Sequence, residues 1–175
     1  MSTFSITFGL QCIAREFVAA TNPRQGDRHL DINALRDYAL KLEDSATNPL
    51  KIFHDIQSGI AATTTQDYDL FGTLVDADGN AMSMDVVYMV IVYNADTANG
   101  ISVGPKTGDP FGVAASNQGF WADVSDRSYV PPESPLILIS KAGVPVTEST
   151  DTFQVITGGS GGNDWEVLIV GRDNA

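Results

Sequence analysis

Cysteine is almost absent. Cys12 is the only one in 175 residues, so no disulfide can close within the chain, and it is not a disulfide-stapled secreted domain. Histidine is scarce as well. His29 and His54 are the only two, and with a single cysteine they form no Cys/His cluster for zinc. Basic residues are few: 10 Lys and Arg stand against 22 Asp and Glu, a net charge of −12. That balance argues against direct nucleic-acid binding, in which cations replace the counterions of the phosphates. It equally disfavours docking on anionic lipid. No apolar run is long enough to cross a bilayer. Met1 is not followed by a basic segment and an apolar stretch, so no signal peptide is expected. The expectation is a soluble chain made in a cytosol.

Catalytic signatures are missing too. Nothing resembles the Gly-x-Ser-x-Gly nucleophile elbow. Gly104-Pro105-Lys106-Thr107 lacks the glycine that a phosphate loop sets directly before its lysine, and Gly108-Asp109-Pro110 follows where a helix should start. Asp76, Asp78, Asn80 and Asp85 are oxygen ligands close together, but glycine comes fourth in this run where a calcium loop sets it sixth. A plain turn is the reading there, without metal. Asp123 and Asp126 beside Trp121 could serve as a carboxylate pair on a sugar. In so acidic a protein they read first as a solvated face. No enzymatic activity and no cofactor are expected.

What is present is strand pattern. The run Met84 to Asn94, MDVVYMVIVYN, is the longest apolar stretch, rich in Val, Ile and Tyr, and reads as a well-buried core strand over Val86–Val92. Tyr68 to Val75 precedes it across the turn-forming Asp76–Asn80. Phe4, Ile6, Phe8, Leu10 and Cys12 alternate with polar or small residues, the period of a one-faced strand. Leu35, Tyr38, Ala39 and Leu42 share one helical face, which predicts a short helix. Leu50, Ile52, His54 and Ile56 alternate, which puts His54 on an apolar face as a packed histidine. Phe120–Val124 and Leu136–Ser140 read as strands, with a turn at Ala142-Gly143. Residues 104–119 read as a surface loop. Phe153–Thr157 and Trp165–Val170 read as a hairpin with a glycine-rich tip at 158–163.

About eight short strands with little helix predict an all-β fold, an antiparallel β-sandwich or jelly roll. Asn48-Pro49 marks the expected boundary between an N-terminal arm, 1–49, with one strand and the short helix, and a body, 50–175. The arm holds five basic and six acidic residues, a charge of −1; the body holds five basic and sixteen acidic, −11.

The order of features in the body resembles a group of small β-sandwich proteins from tailed-phage virions. It runs from Tyr68-Asp69-Leu70 through the Gly79-Asn80-Ala81 turn to the strand Val86–Asn94, then Ile101-Ser102-Val103-Gly104. A proline-bounded loop leads to Leu136–Ile139, then Asp151–Val155 and Trp165–Arg172. The likeness covers about residues 63–172 and is one of strands and turns, not of a catalytic signature. It implies a capsid decoration, cement or head-fibre protein, made in the host cytoplasm and carried in the virion. The implied partners are the major capsid protein or other virion proteins, and further copies of the chain as a homo-oligomer. Phe4, Ile6 and Phe8 on the arm, with Trp121 and Tyr129 on the body, are the candidate contacts. The alternative is a carbohydrate- or receptor-binding module of an adhesin or tail fibre, with Trp121 and Tyr129 as an aromatic platform.

Overall fold

The computed structural model describes residues 50–75, 81–113, 119–159 and 161–173 in full, and four earlier strands by their backbone. The chain divides into two compact units, Met1–Asp44 and Ser45–Ala175. Every regular element among the described residues is a β-strand.

In the first unit, β1 (Ser5–Gly9) pairs antiparallel with β4 (Ala39–Glu43), and β2 (Arg15–Val18) with β3 (Arg28–Asp31). The short helix expected on Leu35, Tyr38, Ala39 and Leu42 is therefore corrected over its second half, which is strand. Leu40 and Leu42 also fit a period of two, and they face Phe8 and Ile6 across the ladder. A lone short helix has little local stability, and long-range pairing overrides it. Among the described residues the arm holds four strands, where one was expected.

The second unit contains β5 (Leu50–Ile60), β6 (Thr65–Asp69), β7 (Leu74–Val75), β8 (Ala81–Met82), β9 (Val86–Asn94), β10 (Ile101–Pro105), β11 (Ser128–Val130), β12 (Ser134–Pro145), β13 (Thr152–Thr157) and β14 (Asn163–Arg172). Eight of these make two four-stranded antiparallel sheets, ordered β12-β9-β14-β5 and β11-β10-β13-β6. The pairing is nested: β5 with β14, β6 with β13, β9 with β12 and β10 with β11. A long hairpin rolled over so that its halves fall in two facing sheets gives this order, which is that of a jelly roll. The expected all-β sandwich or jelly roll is what forms.

Val86–Val92 lies where its composition places it. β9 is an inner strand, flanked by β12 and β14, and Val87, Val90 and Val92 are fully buried. Trp165, Val167 and Ile169 of β14 lie beside them. Tyr68, Ile101, Val103, Phe153 and Val155 come from the other sheet and join the same core. Tyr68 stacks on Phe153 at 5.1 Å between ring centres and meets Phe53 edge-on at 6.1 Å, which ties the two sheets together.

Several local expectations are corrected. Tyr68–Val75 is not one strand leading into β9. β6 ends at Asp69 and lies in the opposite sheet, while β7 and β8 form a separate small hairpin whose tip, 76–80, lies outside the described residues. Residues 158–163 do not tip a hairpin. β13 and β14 belong to different sheets, so this segment crosses the end of the sandwich, with Gly159, Gly161 and Gly162 at positive φ. Phe120–Val124 is no strand; only Trp121 makes an isolated bridge, to Val113. Ala142-Gly143 is not a turn between strands but a bulge inside β12, where the register shifts between Ile139 and Val144. The loop at 104–119 does not merely cover the surface, because Phe111 is fully buried and its backbone N–H donates to the Thr152 carbonyl at 3.0 Å.

β5 is turned over relative to its sequence pattern. Phe53 faces the core, and Asp55 and Gln57 follow it on the same side. Ile52, His54 and Ile56 point outward. His54 is exposed, 3.5 Å from Glu166 on the neighbouring strand, and is not a packed core histidine.

Candidate interaction surface

The body offers three places where polar or apolar groups converge. The first is a cleft of about 650 Å³ where the edge strands β5 and β6 part. Phe53, Asp55, Asp67, Tyr68 and Leu74 line it. The Tyr68 hydroxyl donates to Asp55 Oδ2 at 2.9 Å and accepts from Trp165 Nε1 at 3.0 Å. Gln57 Nε2 also donates to Asp55 Oδ2, at 2.8 Å. Burial pushes the Tyr68 hydroxyl far above the usual phenol range. The Trp165 bond opposes this, and the Asp55 charge and hydrogen bond add to it. Asp67, at the rim, accepts from Lys106 Nζ and from Gln154 Nε2, each at 2.8 Å. Burial alone would raise Asp67, but the Lys106 and Gln154 bonds and the Lys106 charge outweigh it and hold the carboxyl below its ordinary value. These polar groups are taken up by one another. The cleft is a braced seam between the sheets.

The second place joins Asp109, Asp151 and Thr152. Asp151 is only 4 % exposed, and its Oδ1 accepts from the Thr152 hydroxyl at 2.7 Å. Burial raises Asp151 to about 6; the Thr152 bond opposes this, while the Asp69 charge and the adjacent Asp109 carboxyl reinforce it. Among the described residues no group of three or more His, Cys, Asp or Glu side chains is arranged to hold a metal ion. The Asp76–Asn80 turn lies outside the described residues.

The third place is the outer face of the β12-β9-β14-β5 sheet. Register places Pro135, Tyr93, Glu166 and Ile56 in one row across the four strands, and Ile137, Ile91, Leu168 and His54 in the next. Ile139, Met89, Val170 and Ile52 form a third row. Strand alternation turns all of them away from the core that Val90, Val92, Val167 and Ile169 build. Ile56 is 60 % exposed, Tyr93 38 %, and Ile52 and Ile137 37 % each. In the third row Met89 and Val170 are buried, so the open part is the first two rows with Ile52 beside them. A shallow groove of about 480 Å³, lined by His54, Ile91, Tyr93, Glu166 and Leu168, runs through its middle. In the two open rows only His54 and Glu166 carry ionisable side chains apart from the Tyr93 phenol. An open apolar patch of this kind is characteristic of contact surfaces.

The candidate contacts expected from sequence scatter. Trp121 is 6 % exposed and packs in the core, edge-on to Phe120 at 6.0 Å, so it offers no free face. Tyr129 is 66 % exposed, on the other sheet. Ile6 and Phe8 lie on β1, which pairs with β4 of its own unit; Phe4 lies outside the described residues. Asp123 and Asp126 accept backbone N–H groups of their own turn, from Ser125 at 2.9 Å and from Ala122 and Asp123 at 3.0 and 2.9 Å. The backbone bond from Ser125, followed by its hydroxyl, holds Asp123 below its ordinary value. The outer sheet face was missed by sequence reasoning. Its signal was present in β9, where both alternating sets of residues are largely apolar, and in Leu168 and Val170 of β14.

No protein-family model matches the chain, and no curated protein matches it. Among solved structures, one from work on Bacillus endospore appendages, described as a family of disulfide-linked pili, is 11% identical over 74% of this chain and 96% of that one, with a TM-score of 0.38. An unassembled Washington University polyomavirus VP1 pentamer is 9% identical over 97% and 91%, with a TM-score of 0.17. A KI polyomavirus VP1 pentamer is 8% identical over 97% and 94%, with a TM-score of 0.15.

Proposed function

We propose that this chain is a non-enzymatic structural protein of a virion, of the capsid decoration or cement kind, that binds the head lattice and stabilises it. The observation that carries the reading is the open apolar face of the β12-β9-β14-β5 sheet. A soluble body of charge −11 that keeps four large apolar side chains exposed on one face is built to have that face covered. The resemblance of residues 63–172 to small virion β-sandwiches supplies the kind of assembly. A protein that binds only the assembled lattice stabilises it by mass action. Many symmetric copies add avidity, so each contact can be weak. The carbohydrate- or receptor-binding alternative has less support, since its platform loses Trp121 to the core.

Co-sedimentation with heads of the virus that encodes the chain, stripped of accessory proteins, tests the reading. Retention on the heads and a raised temperature of head disruption are the expected results. Retention on immobilised glycans with no head binding would replace it with the alternative.

A further inference from the structure

We propose that Asp109 and Asp151 form a proton-operated clasp: a proton held between their carboxyls fastens the loop after β10 onto the start of β13, and its loss as pH rises lets that loop open. The loop from Lys106 to Phe111 wraps round Thr152. The Lys106 and Phe111 backbone N–H groups donate to the Thr152 carbonyl at 3.1 and 3.0 Å, and the Thr152 N–H donates to the Asp109 carbonyl at 3.1 Å. The side chains repeat the grip. Asp109 Oδ1 accepts the Asp151 backbone N–H at 3.3 Å. The Thr152 hydroxyl stands between the two carboxyls, 2.7 Å from Asp151 Oδ1 and 3.4 Å from Asp109 Oδ2. The carboxyls are themselves within hydrogen-bond reach of each other.

A hydroxyl has one proton and cannot serve two carboxylates fully. Burial and like charge then both favour a shared proton over two ionised groups. The charged groups facing Asp151 are Asp109 and, at the end of β6, Asp69, both acidic. Lys106 lies near Asp69 and Asp109, but its ammonium is 2.8 Å from Asp67 and is held there. Burial is the largest cause that lifts Asp151 to about 6; Thr152 opposes it, and Asp69 and Asp109 add to it. The loop can open alone. Gly108 and Gly112 bracket Asp109 and Phe111 at positive φ, and the ladder from Ile101–Pro105 to Phe153–Thr157 does not include them. What opening withdraws is Phe111, which meets Phe120 edge-on at 6.0 Å and Phe153 at 6.4 Å. An opened loop returns Asp151 to water and to its ordinary range. Opening is therefore hardest in acid and grows easier as pH rises from 3.8 through about 6.

Amide hydrogen exchange of the full chain at about pH 5 and pH 7.5, corrected for the intrinsic rate at each pH, is the test. The Lys106, Phe111 and Thr152 amides are expected to be less protected than those of Val90 and Val92 in β9. Between the two pH values they are expected to lose protection about tenfold, the change that a carboxyl moved from 3.8 to about 6 produces over that range. Asp151→Asn removes the titrating group and is expected to hold the protection of the loop constant. Should that variant disturb folding, Asp109→Asn asks the same question from the exposed side: it removes the neighbouring charge, and the loss is expected to shrink to less than about threefold. Loop amides as protected as those of β9 at both pH values would mean that the loop opens only with the whole fold. Protection that does not change with pH would mean that no proton is shared. An undiminished loss in both variants would place the titrating group elsewhere. Each of these results would overturn the proposal.

Discussion

Replacing Tyr68 by Phe tests the seam between the sheets with one oxygen. Phe keeps the ring that stacks on Phe153 and meets Phe53, so no cavity opens. Two hydrogen bonds go, the donation to Asp55 and the acceptance from Trp165 Nε1. Trp165 is 1 % exposed, so its indole N–H cannot recover a water partner without local opening. A hydrogen bond to a charged group contributes about 1.5–3 kcal/mol, and a buried donor left alone costs about 1–3 kcal/mol. Gln57 still donates to Asp55, which limits the loss at the carboxylate. The expected destabilisation is roughly 2–4 kcal/mol, a large share of a typical domain stability of about 5–15 kcal/mol. For a unit of this size that lowers the melting temperature by about 10 °C. Urea unfolding followed by Trp fluorescence should show a lower midpoint with an unchanged slope. A double-mutant cycle with Asp55→Asn should give a coupling of about 1 kcal/mol or more. A Tyr68→Phe variant within about 0.5 kcal/mol of wild type would refute the reading of this network as a brace.

Val90→Asp is expected to unfold the body, because it puts an unpaired charge at a fully buried position of the central strand; a cooperative melt near wild type would place Val90 outside the core. Replacing residues 158–163 by a two-residue Asn-Gly turn is expected to prevent folding, since that segment crosses between sheets, and a folded product would mean β13 and β14 pair directly. Asp151→Asn is expected to stabilise the protein at neutral pH. The folded carboxyl titrates at about 6, above the ordinary 3.8, so the native state binds the proton more tightly and wild-type stability falls as pH rises from 3.8 through about 6. Asn removes that fall, with a gain of about 1–3 kcal/mol at pH 7 and little change in acid; equal pH profiles for the two proteins would contradict it. Residues 45–175 alone are expected to melt cooperatively, as befits a compact unit, and a chain without a melting transition would show that they need residues 1–44.

Much of the fold could be read from residues that speak twice. β9 announces itself by β-branched and aromatic composition and by length, and it sits as an inner strand of the larger core. The nested pairing could not be read, because it depends on which strands meet at separations of up to a hundred residues or more. The hairpin expected at 158–163 fails for that reason: local glycines fit a tight turn and a crossover equally well. The helix expected near Leu42 fails because Leu42 suits either period, with Leu35, Tyr38 and Ala39 in a helix or with Leu40 in a strand, and pairing with β1 selects the strand.

The candidate surface was hidden by a different ambiguity. Periodicity separates the two sides of a strand but does not say which side the protein covers. On β5 the apolar set Ile52 and Ile56 looked like the inward side, yet Phe53 goes in, and Asp55 follows because the Tyr68 hydroxyl waits there as a partner. A buried polar group with a partner from another sheet costs little, so its inward position leaves no trace in the sequence of its own strand. Along β9 the alternation is apolar on both sides, which ordinarily marks a strand covered on both faces. Here one face is covered by the second sheet. The other is left with Ile56, Tyr93, Ile137 and Ile52 exposed. The outer set of β9 is therefore as apolar as the inner one, although only the inner one faces the second sheet.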